Sequence, residues 1–263
     1  MHLNFLLLNN MKIIININDV DHLVDHRNPI DISIPLHAEG PRAWYVPKMR
    51  FSPVINSQFA GSVKLGGSVN FFDVQFNPHG HGTHTESMGH ITREQQSVNK
   101  ALKEYFFVAQ LISVTPEIVA QATPHLSIGD RVITAEQLRA CAIPEGTNAL
   151  VIRTLPNSDE KLVKNYSNTN FPYFTEAALR YVAEIGVEHL LVDLPSVDRE
   201  EDGGLLLAHR AFWNFPSTTR AHCTITEFVF VRDEIEDGMY LLNLQVAPFE
   251  NDAASSRPVL YRI

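Results

Sequence analysis

The sequence predicts a single α/β domain built around a mixed β-sheet. Short runs of β-branched and aromatic residues recur along the chain, and between them lie segments whose apolar residues follow a helical period. The 263 residues suffice for one large domain, and residues 11–263 contain no internal repeat, low-complexity tract or linker. Strands and helices interleaved in this way pack as helices on the faces of one sheet. Residues 1–10 are interpreted as a loose extension or as the product of an upstream start codon.

The first predicted elements are strands on either side of one long loop. Residues 12–17 are strongly β-prone, and residues 31–36 alternate polar and apolar side chains as a half-buried strand does. Residues 37–68 combine many Pro, Gly and Ser residues with aromatic side chains. This is typical of a lid or binding loop, and equally of a loop that packs its own aromatic residues onto the core. Residues 69–76 form the next predicted strand, and residues 94–104 a short polar helix.

Strands and helices alternate in the rest of the chain. The clearest helix spans residues 175–185, with Thr175 as its N-cap, apolar residues at helical spacing and Gly186 after its last residue. Another helix begins at Thr134, where Gln137 completes a capping-box pattern. The remaining elements are apolar runs bounded by turn residues: strands at 105–114, 149–153, 190–193, 223–231 and 239–246, and a helix at 205–213.

Residues 77–90 contain four of the twelve histidines, together with a carboxylate and three glycines. Neutral imidazole and carboxylate are ligands that suit zinc, manganese, iron or nickel, and glycine lets the backbone approach a bound ion. In an extended chain, residues two apart point to one face, so His84 and Glu86 are predicted to point together, and His90 has the same parity. This spacing favours a metal site over a His-rich surface loop. Because so long a chain can bury a core without metal, we expect a catalytic ion.

Three other features carry chemical groups, and each also has a simpler explanation. Residues 193–198 place two carboxylates and a hydroxyl at a strand end, where α/β proteins build sites, but Asp and Ser also favour capped turns. His209 lies in an apolar helix, where a single His is more often a hydrogen-bonded core residue than a ligand. Glu227 interrupts an apolar strand, so it either lies on the exposed face or is buried beside a partner such as a metal ion.

The residues Gly82-Thr83-His84-Thr85-Glu86, followed by His90, resemble the signature H-x-G-T-H-x-D-x-x-x-H of the cyclase family of metal-dependent hydrolases. That family includes kynurenine formamidases and isatin hydrolases. Glu86 stands where the signature has Asp. The resemblance extends over nearly the whole chain, with matching segments at 31–33, 151–154, 174–198, 238–241 and 257–259. It implies the family's swivelling β/β/α fold with a barrel-like mixed sheet.

The chain departs from the signature at its first histidine, which would fall at Gly80 and is flanked here by His79 and His81. Neither neighbour shares a face with His84 in a regular strand, but a bulge at Gly80 or Gly82 would turn one of them inward. We predict that His79 is the substitute ligand, because both glycines then remain available to reverse the chain. His81 is the close alternative. The longer arm of Glu compared with Asp would compensate for a displaced ligand.

The predicted site holds one or two divalent ions, zinc or manganese. His79, His84 and Glu86 are predicted to hold one ion. The resemblance implies that His209 and Glu227 complete that site or hold a second ion. His90 is predicted to act as the general base and then to protonate the leaving nitrogen.

The resemblance implies hydrolysis of a C–N bond in an amide, formamide or lactam. One alternative is a lyase, dehydratase or cyclase that acts on a small carbonyl compound. Another is a family member that binds metal or ligand without catalysis.

Composition restricts the partners. The net charge is −9, and the basic residues are scattered, so the chain lacks the basic stripe that nucleic acid requires. No segment approaches the length of a membrane span. We expect a small-molecule substrate, with the aromatic side chains of residues 44–76 as an apolar wall for an aromatic one. We also expect a homodimer or a higher homo-oligomer.

The cysteines and the N-terminus bear on location. Cys141 and Cys223 form no CxxC pair, which is typical of free thiols in a reducing compartment and less so of a disulfide. The apolar residues 5–8 are too few for a signal-peptide core and follow no basic region. We therefore expect a cytoplasmic protein.

Overall fold

A computed structural model describes residues 12–17 and 19–263, so the predicted extension at residues 1–10 lies outside the described residues. The strands, numbered along the chain, are β1 (Ile13–Ile17), β2 (Val20–Val24), β3 (Ile30–Asp31), β4 (Arg50–Pro53), β5 (Phe72–Gln75), β6 (His84–Glu86), β7 (Phe106–Val114), β8 (Glu117–Ile118), β9 (Arg131–Ile133), β10 (Ala149–Thr154), β11 (Tyr173–Phe174), β12 (His189–Val192), β13 (Thr224–Glu227), β14 (Gly238–Val246) and β15 (Ala253–Arg262). The helices are α1 (Val98–Ala101), α2 (Ala135–Ala140), α3 (Glu176–Glu184) and α4 (Leu207–Trp213).

The main sheet closes on itself. Its strand order is β14-β7-β10-β12-β13-β6-β15-β3, and β14 also pairs with β15, so seven strands form a ring to which β3 is added. Strands β7, β10, β12 and β13 run parallel, whereas β6, β14 and β15 pair antiparallel to their neighbours. A closed sheet exposes no unpaired edge within the ring. The predicted single α/β domain with a barrel-like mixed sheet is therefore confirmed.

The strands of the parallel part are buried on both faces. In β10, Leu150 and Ile152 pack with α3 and α4, whereas Ala149 and Val151 belong to a second apolar cluster with β7, β14 and β15. All four side chains are fully buried. A strand covered on both sides has no polar face to alternate with, which is why this part of the sequence reads as continuous apolar runs.

The two predicted helix starts are confirmed. The hydroxyl of Thr175 accepts a hydrogen bond from the backbone N–H of Ala178 at the first turn of α3. At α2, the hydroxyl of Thr134 accepts from the N–H of Gln137, and the Gln137 side chain accepts from the N–H of Thr134. Each of these bonds satisfies an N–H that the helix itself leaves unpaired.

Several predicted boundaries are wrong, because backbone pairing decides where a strand ends. Of the strand predicted at 31–36, only Asp31 lies in a strand, β3, which pairs with β15. The strand predicted at 223–231 ends at Glu227, since Phe228 takes a left-handed φ of 56°. The helix predicted at 94–104 is reduced to Val98–Ala101. Strand β15 was not predicted as a strand, because it contains Ala, Ser and Pro where β-branched residues are expected.

Strands β4 and β5 form a separate hairpin outside the main sheet. This hairpin occupies part of the predicted loop and of the strand predicted at 69–76, and many of its apolar side chains are exposed, including Phe51, Phe72 and Val74. Trp44, by contrast, packs edge-on against Phe171 with ring centroids 6.0 Å apart. The segment predicted as a loop at residues 37–68 therefore packs Trp44 against the core, whereas other aromatic side chains such as Phe51 are exposed to solvent. None of the described helices is long and apolar enough to cross a membrane.

The buried side chain of His189 is expected to make the free energy of unfolding depend on pH. Its side chain is buried, its Nδ1 lies 2.9 Å from Thr224 Oγ1, and burial lowers its pKa to about 4. In the unfolded chain the pKa of this histidine is about 6.5. Between pH 6.5 and about 4, the unfolded chain therefore binds a proton at His189 that the folded chain does not bind. This contribution to stability is therefore present above pH 6.5 and is lost as the pH falls toward 4, by about 3 kcal/mol in all.

We expect His189→Gln to flatten this dependence, since Gln does not titrate. Urea unfolding of the metal-free parent and variant at pH 7, 5.5 and 4.5 measures the difference between their stability slopes. Equal slopes would show that His189 is not responsible.

Candidate metal centre

Strand β6 places two predicted ligands on one face. It lies between β13 and β15, and His84 and Glu86 are two residues apart in it, so their side chains point the same way. Glu227 of β13 is the pairing partner of His84, and its Oε2 lies 3.3 Å from His84 Nε2. All three side chains are buried. Glu227 is thus not on an exposed face, and a buried carboxylate beside an imidazole is placed to hold a cation.

His90 reaches the same centre by a turn and not by strand parity. The strand ends at Glu86, and residues Met88–Ile91 form a 3₁₀ turn capped by the hydroxyl of Ser87. A Cβ at Gly89 would lie 2.2 Å from Gln96 O, so the turn requires glycine there. The turn leaves His90 Nδ1 3.8 Å from Glu86 Oε2.

Gly80, which stands where the signature has its first histidine, lies in a turn that begins at Asn77. The Asn77 Oδ1 accepts hydrogen bonds from the N–H groups of His79 and Gly80, so the segment is not the bulged strand that we predicted. A Cβ at Gly80 would lie 2.8 Å from Val46 Cγ2, which shows that position 80 faces the preceding loop. A histidine at that position would not face Glu86 in this backbone.

The two neighbours of Gly80 point in different directions. His79 Nδ1 lies 3.1 Å from Glu86 Oε2. His81 donates from Nε2 to Pro47 O at 2.8 Å and accepts at Nδ1 from the N–H of Asn77. Both nitrogens of His81 are therefore engaged away from the centre, and His79 is the neighbour that faces the carboxylate.

Helix α4 brings His209 against the other oxygen of the central carboxylate. His209 Nε2 lies 3.1 Å from Glu86 Oε1, and its Nδ1 lies 2.6 Å from Asp198 Oδ2. The Asp198 carboxylate also accepts from the N–H groups of Ala208 and His209, in the first turn of α4. His209 is thus a hydrogen-bonded buried residue and a neighbour of the centre at once. The other acid of that segment, Asp193, is instead paired with Lys161 at 2.7 Å.

The six predicted site residues come together around Glu86. Potential ligand atoms among them form two sets, and within each set all the atoms lie within 4.8 Å of one another. One set contains His79, Glu86 and His90, and the other contains His84, Glu86 and Glu227, so Glu86 is common to both. The predicted trio of His79, His84 and Glu86 is therefore divided between two sets. His90, predicted as the proton carrier, belongs to the first set by distance.

The donors present fit a divalent cation. Within residues 12–17 and 19–263, His84 Nε2 and Glu86 Oε2 are buried and make no hydrogen bond of good geometry, although Glu227 Oε2 lies 3.3 Å from the first atom and His79 Nδ1 lies 3.1 Å from the second. His84 Nδ1 lies 3.1 Å from Gly82 O and donates to it, so in the neutral ring Nε2 carries the lone pair and faces Glu227. An unsatisfied buried polar atom costs about 1–3 kcal/mol. Imidazole nitrogen and carboxylate oxygen are the donors of zinc and manganese sites, and a bound ion would satisfy both His84 and Glu86.

The charges in the centre depend on one another. Burial opposes the charged form of His79, yet its hydrogen bond to Asp252 and the nearby carboxylate of Glu86 raise its pKa to about 10. Burial also opposes ionisation of Glu86, but the nearby charge of His90 and the hydrogen bond from His209 hold the Glu86 pKa well below its usual value. The pKa of His209 is raised well above its usual value by Asp198 and Glu86, against the effect of burial. Protons on His79 and His209 balance the carboxylates, and a divalent ion would displace them.

Sequence reasoning missed Asp252. Its Oδ2 accepts a hydrogen bond from His79 Nε2 at 2.8 Å and lies 3.5 Å from His90 Nδ1. Asp252 comes just before β15, far along the chain from both histidines, and no local motif marks it. Only the pairing of β15 with β6 brings it to the centre.

Comparisons with known proteins agree with this architecture. Residues 30–199 match the family model Cyclase, described as "Putative cyclase". The solved structure of a predicted metal-dependent hydrolase from Bacillus stearothermophilus is 17% identical, with a TM-score of 0.60 over 89% of this chain and 98% of that one. A potential metal-dependent hydrolase with cyclase activity is 18% identical, with a TM-score of 0.64 over 89% and 97%.

Isatin hydrolase A from Labrenzia aggregata, bound to benzyl benzoate, is 12% identical, with a TM-score of 0.60 over 89% of this chain and 93% of that one. At such identities these likenesses concern the fold. No curated protein sequence matches the chain significantly. The family model covers well over half of the chain and includes residues 79–90 and 193–198. The chain belongs to the cyclase family.

Proposed function

We propose that this chain is a metal-dependent hydrolase that cleaves the C–N bond of an amide, formamide or lactam. The observation that carries the proposal is the pair of unsatisfied buried atoms, His84 Nε2 and Glu86 Oε2, at the meeting point of two sets of imidazole and carboxylate donors. The fold likeness to isatin hydrolases supports the choice of a cyclic amide among the substrates. Fold likeness does not determine a substrate, so the chemistry of the site carries the argument.

The residues of the centre have distinct tasks. His79, His84, Glu86 and Glu227 would hold zinc or manganese, and His209 supports Glu86 from its other oxygen. When bound, a divalent ion supplies a Lewis acid that polarises a carbonyl group and makes water more acidic.

The remaining chemistry is proton transfer. His90 lies at the accessible side of the centre, with 30% of its side chain exposed, whereas the side chains of His84 and Glu86 are almost fully buried. Its Nδ1 lies 3.5 Å from Asp252 and 3.8 Å from Glu86, so neither carboxylate holds it in a short hydrogen bond. An imidazole in this position accepts a proton from the attacking water and returns it to the leaving nitrogen. The products are a carboxylic acid and an amine.

The second candidate function is that of a lyase, dehydratase or cyclase acting on a small carbonyl compound, and the description of the family favours it. The same donors and the same proton carrier would serve an elimination.

The non-catalytic alternative rested on the loss of the first signature histidine. The contact of His79 with Glu86 weakens that argument, because the centre is not short of an imidazole.

A substrate panel tests the proposal. We expect the protein loaded with Zn²⁺ or Mn²⁺ to hydrolyse N-formylkynurenine, isatin or an acyclic aryl amide, with product acids detected by mass spectrometry. Glu86→Gln, which removes the shared carboxylate charge, should be inactive on the same panel. Release of water from hydroxy acids without amide hydrolysis would favour the lyase. Bound metal without turnover on either group of compounds would favour a binding protein.

Three further expectations accompany this proposal. A homodimer or higher homo-oligomer stays a prediction, with the exposed apolar side chains of the β4–β5 hairpin as the surface on which a second copy is expected to pack. The cytoplasmic location and the aromatic character of the substrate stay predictions too.

A further inference from the structure

Two histidines of the centre share one pattern of hydrogen bonds. His84 donates from Nδ1 to Gly82 O at 3.1 Å, and His209 donates from Nδ1 to Asp198 Oδ2 at 2.6 Å. In both rings Nε2 faces the central carboxylates. Metal-binding histidines commonly donate their second N–H to a carboxylate or carbonyl oxygen, which selects the tautomer and fixes the ring.

His79 shows the same pattern with its ring nitrogens exchanged. Its Nε2 donates to Asp252 Oδ2 at 2.8 Å, and its Nδ1 lies 3.1 Å from Glu86 Oε2. The two ring nitrogens have exchanged roles in a histidine that stands at position 79 and not at the signature position 80. Position 80 faces Val46, and His79 approaches Glu86 from the turn at Asn77. The hydrogen bond from Nε2 to Asp252 holds the ring in the orientation that presents Nδ1 to Glu86.

The backbone holds Asp252 in place for this contact. The N–H of Ser87 donates to Asp252 O at 2.9 Å, and Ala253 pairs with Glu86 across β15 and β6. The carboxylate that orients His79 is therefore attached directly beside the strand that carries the central ligand. The backbone of Asp252 is therefore held without the help of His79.

We propose that Asp252 is a positioning residue which holds the Nε2–H of His79, so that His79 binds the metal through Nδ1 and replaces the histidine missing at Gly80. The inference rests on the proposed metal-dependent function. It also assigns to Asp252 the part that Asp198 plays for His209.

The test measures Zn²⁺ affinity by competition with a chelator, on the full-length chain. Asp252→Ala removes the acceptor and should weaken binding by about 10–100-fold, the usual effect of losing a residue that orients a ligand. Asp252→Asn keeps an acceptor oxygen and removes the charge, so it should recover most of the affinity. Glu250→Gln is the matched control, because Glu250 is an exposed acid two residues away that pairs with Lys100. It should bind Zn²⁺ as the parent does.

A spectroscopic measurement separates orientation from a general effect on folding. In long-range ¹H–¹⁵N spectra of the Zn²⁺-loaded parent, with His79→Gln used for assignment, we expect a protonated Nε2 and a metal-bound Nδ1 on His79. This measurement needs no Asp252 variant, so a variant that fails to fold does not prevent the test.

Three results would overturn the inference. The first is coordination of the metal by His79 through Nε2. The second is a Zn²⁺ affinity of Asp252→Ala equal to that of Glu250→Gln. The third is a Zn²⁺ affinity of Asp252→Asn as low as that of Asp252→Ala, because the charge of Asp252 and not its hydrogen bond would then support metal binding. If the parent binds neither Zn²⁺ nor Mn²⁺, the proposed function fails as well. A parent that binds metal with an unaffected Asp252→Ala variant refutes only the role of Asp252.

Discussion

Replacement of His84 by Ala is expected to remove most bound metal and nearly all activity, while the chain stays folded. His84 is buried, and its Nε2 is one of the two unsatisfied atoms of the centre. Its loss should reduce metal affinity by more than the roughly 10–100-fold typical of a residue that only orients a ligand. The fold should survive because closure of the barrel depends on backbone pairing and on two large apolar clusters. Elemental analysis gives the metal content, and urea unfolding gives the stability.

The matched control is His81→Ala, which removes a histidine of the same segment whose nitrogens face Pro47 and Asn77. It should keep its metal. A parent that unfolds at room temperature once its metal is removed would contradict the prediction, because the ion would then be structural.

Replacement of His90 by Ala should leave the metal bound and reduce turnover by about 10²–10⁴-fold, the usual contribution of a proton carrier. The half-buried His90 ring lies close to the centre without a short hydrogen bond to either neighbouring carboxylate. Turnover on the best substrate of the panel, together with metal content, measures both quantities. His222→Ala serves as control, since that histidine is exposed and lies 3.6 Å from Glu188, away from the centre.

The two roles that distance allows for His90 give different results. Loss of metal in His90→Ala would make it a ligand of the set that contains His79 and Glu86. Normal metal content with near-normal rates would remove His90 from the mechanism.

Many features of the fold and centre were predictable because they depend on residues close together in the chain. The capping bonds of Thr134 and Thr175 link residues three positions apart. The common face of His84 and Glu86 follows from the pleat of one strand. The sequence did not locate the ends of strands such as β13, since these depend on hydrogen-bonding partners elsewhere in the chain.

The sequence by itself therefore determined a mixed α/β domain and a His-rich segment able to hold a cation. Only the tertiary structure decided which of His79 and His81 faces that centre, because the Val46 side chain and the Asn77 turn set the direction of each ring. It alone showed Asp252 beside this centre, whereas the family resemblance had already implied His209 and Glu227 there. Local patterns reflect the conformation of a few neighbouring residues, whereas a site shared by distant segments exists only once the strands that carry them have paired.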